Sequence, residues 1–163
     1  MPENKEKSLG IEKQLVIFKL GKEEFGVDIN QVREIIKMEA ITKIPNTEEY
    51  IQGVINLRGK IIVIVELSKK LNMISGEKNK DTRIIVTEIG DSTIGMIVDN
   101  CNEVLRLSSS QIEAAPEIIT KKINSEYIVG VGVIKERLII LLNLGKVLGD
   151  SDMQKLEALK ETV

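Results

Sequence analysis

Aliphatic residues in this chain fall in short runs separated by charged and turn-forming residues, with little helical spacing until the C-terminus. Residues 14–20 alternate as a strand does, Gly21-Lys22-Glu23 reads as a turn, and residues 24–28 as the return strand of a hairpin. A short helical turn over residues 29–31 leads into an extended piece, 32–38. Asn46-Thr47-Glu48-Glu49 carries the cap and first-turn acids of a short helix running into Tyr50. Residues 60–67 form a strongly aliphatic strand, and 68–73 one helical turn. Residues 83–89, 93–99 and 103–107 predict three more strands, and 127–134 with 137–144 a hairpin whose tip is Lys135-Glu136. Met153, Leu156 and Leu159 mark an amphipathic helix over 151–162, capped by Ser151 or Asp152 and lying on the body. Short strands punctuated this way suggest small closed sheets, and closure removes the edges that would make so aliphatic a chain aggregate.

The pattern repeats. Residues 50–71, YIQGVINLRGKIIVIVELSKKL, align without a gap on residues 127–148, YIVGVGVIKERLIILLNLGKVL, 77 residues later, with eight of 22 positions identical. Upstream, Val27-Asp28 matches Val98-Asp99 and Pro45 matches Pro116, 71 residues apart. Self-similarity of this kind indicates a duplicated β-unit, and two units too small for a good core alone must pack on each other. The copies differ where the first has Asn56-Leu57-Arg58-Gly59 and the second Val133-Ile134-Lys135-Glu136. A shared scaffold explains the aliphatic positions but not the Asn-x-Arg-Gly of one copy.

Composition narrows the function. Of 163 residues, 26 are Ile and 14 Val, a bias towards strands, and the length suits one domain or two small fused units. The formal charge of -2 and the 2% aromatic content remove the electrostatic footprint and stacking platforms of nucleic-acid binders. With no histidine, His-based catalysis, His metal ligation and phosphotransfer through a histidine of this chain are excluded. Cys101 is the one cysteine, which fits a reducing compartment. The polar start, residues 1–13, has no apolar core of a signal peptide and reads as a disordered tail. The longest aliphatic runs, 61–65 and 138–142, are far short of the roughly 20 residues that span a bilayer as a helix. A soluble cytoplasmic protein is expected.

Catalytic chemistry finds no support. Asp28, Glu34, Glu66, Asp99 and Glu103 read as solvated strand-end acids, and no spacing pairs them. Cys101 has no activating base, and neither a Walker A nor a GxGxxG sequence occurs. No catalytic residue, metal site or cofactor is expected. Arg58 has two readings: a guanidinium presented to a partner at a turn, or one tying down a loop carbonyl or carboxylate. Gly59 supplies the positive φ such a turn needs. The Ile29, Val32, Ile35 and Ile36 group is either core or part of an aliphatic groove between the copies.

The run Gly53-Val54-Ile55-Asn56-Leu57-Arg58-Gly59, followed by aliphatics and Glu66-Leu67, resembles the signature of CheW-type chemotaxis coupling proteins. So do Phe18-x-Leu20-Gly21-x-x-x-Phe25-Gly26-Val27, Ile97-Val98-Asp99 with Glu103-Val104-Leu105, and Tyr127-Ile128-x-Gly130-Val131 with Arg137-Leu138-Ile139-Ile140-Leu141. Val63 stands where that family often has Pro, and Glu66 where it has Asp. The resemblance implies a mainly β fold: two intertwined five-stranded SH3-like β-barrels from an internal duplication, with short helices. It covers a CheW-like domain over 14–150, with strands exchanged between barrels; the amphipathic helix over 151–163 follows. It implies an adaptor without catalysis that couples methyl-accepting chemoreceptors, through their cytoplasmic tips, to the regulatory domain of the CheA histidine kinase. Such a protein is cytoplasmic and recruited to membrane receptor arrays, without inserting in the membrane. By position, Val32, Glu34 and Arg58 match receptor-binding residues, whereas Ile35, Ile41, Glu113 and Ile118 match kinase-binding ones. The alternative is an OB- or SH3-like barrel that binds nucleic acid or a small ligand.

Overall fold

The computed structural model describes residues 12–74 and 76–161. Residues 1–11 of the expected tail and the last two residues of the expected C-terminal helix lie outside the described residues. The first copy of the duplicated unit comprises β1 (Glu12–Leu20), β2 (Glu23–Asp28), a 3-10 turn at Ile29–Gln31, β3 (Val32–Lys37), β4 (Ile51–Leu57), β5 (Lys60–Glu66) and α1 (Leu67–Lys70). The second comprises β6 (Arg83–Ile89), β7 (Ser92–Val98), β8 (Asn100–Ser108), a 3-10 turn at Ser109–Gln111, β9 (Ile112–Glu113), α2 (Glu117–Thr120), a 3-10 turn at Ser125–Tyr127, β10 (Ile128–Ile134), β11 (Arg137–Leu142) and α3 (Leu144–Val147). The final helix, α4 (Asp150–Glu161), follows.

The copies trade strands. One sheet runs β8-β1-β2-β11-β10-β9 and the other β3-β6-β7-β5-β4. The opening hairpin of each copy therefore sits among the later strands of the other, joined by the parallel pairs β2–β11 and β5–β7. The first sheet, with strands from both ends of the chain, is here the terminal barrel, and the second the central barrel. The central barrel has the expected five strands; the terminal one has a sixth, because Ile112–Glu113 pairs with β10. Its counterpart in the central barrel is a single bridge, Thr42 to Val54, with both N–H···O distances at 2.9 Å.

Two-sided burial explains the unbroken aliphatic runs. Ile62 and Ile64 of β5 point into the central barrel, and Val63 and Val65 into the seam between barrels. Ile139 and Leu141 of β11 fill the terminal barrel, while Ile140 and Leu142 face the seam. A strand wetted on one face would alternate; these are dry on both. The seam also holds the chain's two phenylalanines, Phe18 and Phe25, stacked at 5.7 Å. Burial of Ile and Val at about 25 cal/mol per Å² of apolar surface stabilises both interiors.

Pairing corrects one part of the repeat. Leu141 faces Gly26 across β11–β2, and Ile64 faces Gly95 across β5–β7. Since Ile64 and Leu141 are repeat-related, Gly26 corresponds to Gly95 and Val27 to Met96. The Val27-Asp28 and Val98-Asp99 match is therefore out of register. The two acids also work differently. Asp28 caps the 3-10 turn by accepting from the Asn30 N–H at 2.9 Å, whereas Asp99 accepts from the N–H groups of Gly21 at 2.7 Å and Gly76 at 2.8 Å.

The helix expected over 46–49 is absent. Asn46 takes a left-handed φ of 59°, which breaks a helix at its first residue, and the segment stays a loop. The longer loop between Pro116 and Tyr127 instead forms α2 and drives Ile119 and Ile123 into the seam core. At the shorter loop α4 does this work: Leu156 is fully buried, the Tyr50 hydroxyl donates to Asp152 at 2.6 Å, and Lys155 pairs with Glu48 at 3.2 Å. The Lys70 ammonium lies 5.2 Å from the Tyr50 ring and 5.7 Å from that of Tyr127, so the repeat-related tyrosines clasp one lysine, which also pairs with Asp152 at 3.3 Å.

Candidate partner-binding groove

The Asn-x-Arg-Gly of the first copy is a two-residue hairpin loop. Leu57 pairs with Lys60, leaving Arg58 and Gly59 at the tip with φ of 50° and 86°. Two successive positive φ values suit the twist of a tight hairpin, and only the glycine adopts one without steric cost. The Asn56 side chain accepts from the Gly59 N–H at 2.9 Å and holds the turn. In the second copy Lys135 shares the positive φ, at 52°, but Glu136 does not.

The turn forms one wall of a groove on the central barrel, with Glu34 of β3, Lys60 and Ile62 of β5, Val86 of β6 and Thr93 of β7. The Arg58 guanidinium donates to the Glu34 carboxylate, yet the Arg58 side chain remains 68% exposed and Glu34 28%. Arg58 thus ties a carboxylate, as one sequence reading had it, while its side chain still faces outward. Arg33 pairs with Glu88 at 2.7 Å at the rim.

Val32, expected beside them, lies elsewhere. Pairing slips at Arg33, so that Val32 faces Thr87 whereas Glu34 faces Val86. This bulge puts Val32 and Ile35 on the seam face of β3, and Glu34 and Ile36 on the barrel face. Val32 packs half-buried on the seam core, and Ile35 is exposed. Ile41, half-buried, packs against the central-barrel core beside Gly53. Glu113 is exposed on β9, and Ile118 on α2 is 65% exposed. The structure therefore joins Glu34 with Arg58, sets Val32 with Ile35 on another face, and leaves Glu113 and Ile118 on strands and helix of the second copy.

The same construction occurs in the terminal barrel. Its β8–β1 pairing slips at the matching place, with Glu103 opposite Ile17 and Cys101 opposite Phe18, so Glu103 corresponds to Glu34. Its groove is lined by Ile17, Glu24, Asn100, Glu103 and Arg137, with Glu24 where the central barrel has Thr93 and Arg137 where it has Lys60. Arg137 grips both carboxylates: Nη2 and Nε donate to Glu24 at 2.6 and 3.2 Å, and Nη2 and Nη1 to Glu103 at 2.8 and 3.3 Å. The hydrogen bond from Arg137, against the opposing pull of burial, holds the Glu24 carboxyl below the usual carboxylate range. This cluster escaped the sequence reading. Its one signal was the alignment of Arg137 with Lys60, a basic residue in both copies.

The acids read as solvated have partners throughout. Glu66 is buried and accepts from Lys78 at 3.0 Å and from the Ser68 hydroxyl at 3.4 Å, beside the assigned contacts of Asp28, Asp99, Glu34 and Glu103. Burial pushes the Cys101 thiol up to about 11, away from a reactive thiolate. Among the described residues no cluster of three or more His, Cys, Asp or Glu is placed to hold a metal ion, and no helix is long and apolar enough to cross a membrane.

Comparison with known proteins gives this architecture a family. The CheW-like domain family matches residues 14–152. The chain is 38% identical over 140 residues to the chemotaxis protein CheW of Klebsiella aerogenes, covering 86% of this chain and 84% of that protein. It is 38% identical over 108 residues to the CheW of Bacillus subtilis, covering 66% of this chain and 69% of that one. The crystal structure of the scaffolding protein TtCheW from Thermoanaerobacter tengcongensis superposes with a TM-score of 0.78 at 37% identity, over 87% of this chain and 91% of that one. The nucleic-acid reading finds no support among these relatives. An exchanged two-barrel fold, a copy-specific arginine turn and matches across most of the chain lead to one conclusion: this chain belongs to the CheW-like family of chemotaxis scaffold proteins.

Proposed function

We propose that this chemotaxis adaptor binds the cytoplasmic tip of a methyl-accepting receptor and the regulatory domain of the CheA kinase, and works by protein–protein contact without catalysis. It acts in the cytoplasm, recruited to receptor arrays at the membrane. The observation that carries the reading is Arg58: a guanidinium on a turn pinned by Asn56, braced by Glu34, exposed beside an aliphatic-floored groove, and present in one copy alone. Bracing by a carboxylate orders the long side chain before a partner arrives, which lowers the entropy lost on binding. Glu34 and Arg58 form the receptor contact, and Val32 shapes the strand beside it. Ile35 and, through its packing, Ile41 belong to one kinase-facing surface; Glu113 and Ile118 belong to a second. Two faces on one small protein raise the effective concentration of kinase at receptor.

Truncating an anchoring arginine at such a surface costs about 2 kcal/mol, or roughly thirtyfold in affinity. Arg58→Ala is therefore expected to keep its melting temperature while losing receptor binding and receptor-dependent stimulation of kinase autophosphorylation. A folded Arg58→Ala protein with unchanged receptor affinity and kinase stimulation would overturn the reading.

A further inference from the structure

The two barrels present the same groove twice, and only one keeps a guanidinium with nitrogens to spare. We infer that Arg137, by spending its guanidinium on Glu24 and Glu103, leaves the pseudo-equivalent groove of the terminal barrel without an anchor, so that this two-fold scaffold accepts one receptor segment in one orientation. The inference rests on the receptor reading of the Arg58 groove.

Duplication is the reason the question arises. Two copies of one unit carry two copies of any surface the unit builds, and a helical partner that fits one groove meets its twin on the other barrel. The floors share one position, Val86 in the central barrel and Ile17 in the terminal one, whereas Ile139, the counterpart of Ile62, is buried in the barrel interior. The backbones match as well, down to the bulge that presents Glu34 and Glu103. What differs is where the arginine stands and what it has left to offer. Arg58 sits at the turn tip and spends one nitrogen, Nη2, on one carboxylate. Arg137 stands inside the strand and spends all three of its nitrogens on two. A guanidinium held bidentately on both sides has little capacity for a third acceptor. Charge separates the grooves too: with Arg33 paired to Glu88 at the rim, Arg58 and Lys60 face Glu34 in the first, whereas Lys19 and Arg137 balance Glu24 and Glu103 in the second. One position makes the difference possible, since Thr93 stands where Glu24 supplies the second carboxylate.

The test copies the groove that has an anchor onto its twin. The variant Glu24→Thr/Lys135→Arg/Glu136→Gly/Arg137→Lys installs the residues that the central barrel has at Thr93, Arg58, Gly59 and Lys60. A smaller variant, Glu24→Thr/Arg137→Lys, removes the clamp and leaves the turn alone. Calorimetric titration with a soluble receptor cytoplasmic fragment should give one binding event per wild-type chain and two per four-residue variant. Arg58→Ala placed in that variant should return the count to one. In wild-type protein, receptor-induced amide shifts should cluster at residues 56–60 and spare 103 and 137. A folded four-residue variant that still binds one fragment, or wild-type shifts at both grooves, overturns the inference. Unchanged wild-type binding after Arg58→Ala instead overturns the receptor reading, so the two failures are distinct.

Discussion

The central and terminal barrels share backbone and bulges, yet their arginines do opposite things. Arg58 is 68% exposed on a turn, with one carboxylate beside it, while Arg137 at 36% is tied to β2 of the other copy and to β8 of its own. The lesson is that a duplicated scaffold can divide labour by exchanging a guanidinium and an ammonium between two places on a hairpin: at the tip the guanidinium faces outward, within the strand it joins β2, β8 and β11. The covers divide likewise, with α2 and its loop closing one side of the seam and α4 the other.

The largest expected effect separates the two bulge glycines. A Cβ on Gly53, at φ 143°, would stand 2.1 Å from the Thr42 carbonyl oxygen; one on Gly130 would stand 2.7 Å from that of Glu113, with no left-handed φ to add strain. Gly53→Ala should cost about 4 kcal/mol and Gly130→Ala about 2, read by urea denaturation. Equal costs would mean that the bulges are less different than their backbones. Next come the two covers. Leu156 of α4 and Ile119 of α2 both end in the seam core, so Leu156→Ala and Ile119→Ala should each lose about 3 kcal/mol. A much smaller loss for Leu156→Ala would show α4 to be an optional appendage.

The arginines give a smaller contrast in stability, opposite to their contrast in binding. Arg137→Ala leaves Glu24 and Glu103 with Lys19 alone to balance them and should cost about 1 kcal/mol, whereas Arg58→Ala should stay within about 0.5 kcal/mol of wild type. Similar losses on thermal or urea unfolding would erase the distinction between clamp and anchor. The smallest effect is on acid stability. Glu24 titrates below its unfolded value near 4.3, chiefly because Arg137 donates to it. The stabilisation this brings is therefore complete above that unfolded value and fades as pH falls through the lower folded one. Glu24→Gln should show a shallower loss of stability over that acid range than wild type.

Much of the fold was legible because its strands are buried on both faces. The runs over 60–67 and 137–144 could be read as strands and aligned as repeats, since seam and barrel interior demand the same residue types in both copies. The turn at Arg58-Gly59 was legible for a local reason: Asn-x-Arg-Gly is short-range chemistry. The loop over 46–49 was misread because its acids mimic a helix start, and the left-handed Asn46 that prevents one leaves no mark in composition. Val32 was grouped with Glu34 by position in the family resemblance, and the bulge at Arg33 turns the two to opposite faces of β3. The Arg137 cluster was hidden by distance, since Glu24 lies 113 residues away along the chain.

By itself, then, the amino-acid sequence determined most of the strands (though not β4 or β9), the duplication, the family and the turn that sets one copy apart, all of which rest on local pattern or self-similarity. Only the tertiary structure decided which strands share a barrel, which acid each arginine meets, and which of two like grooves keeps a guanidinium with nitrogens to spare. Those outcomes depend on strands crossing between copies, and a crossing that brings distant residues within hydrogen-bond reach leaves no periodic trace along the chain.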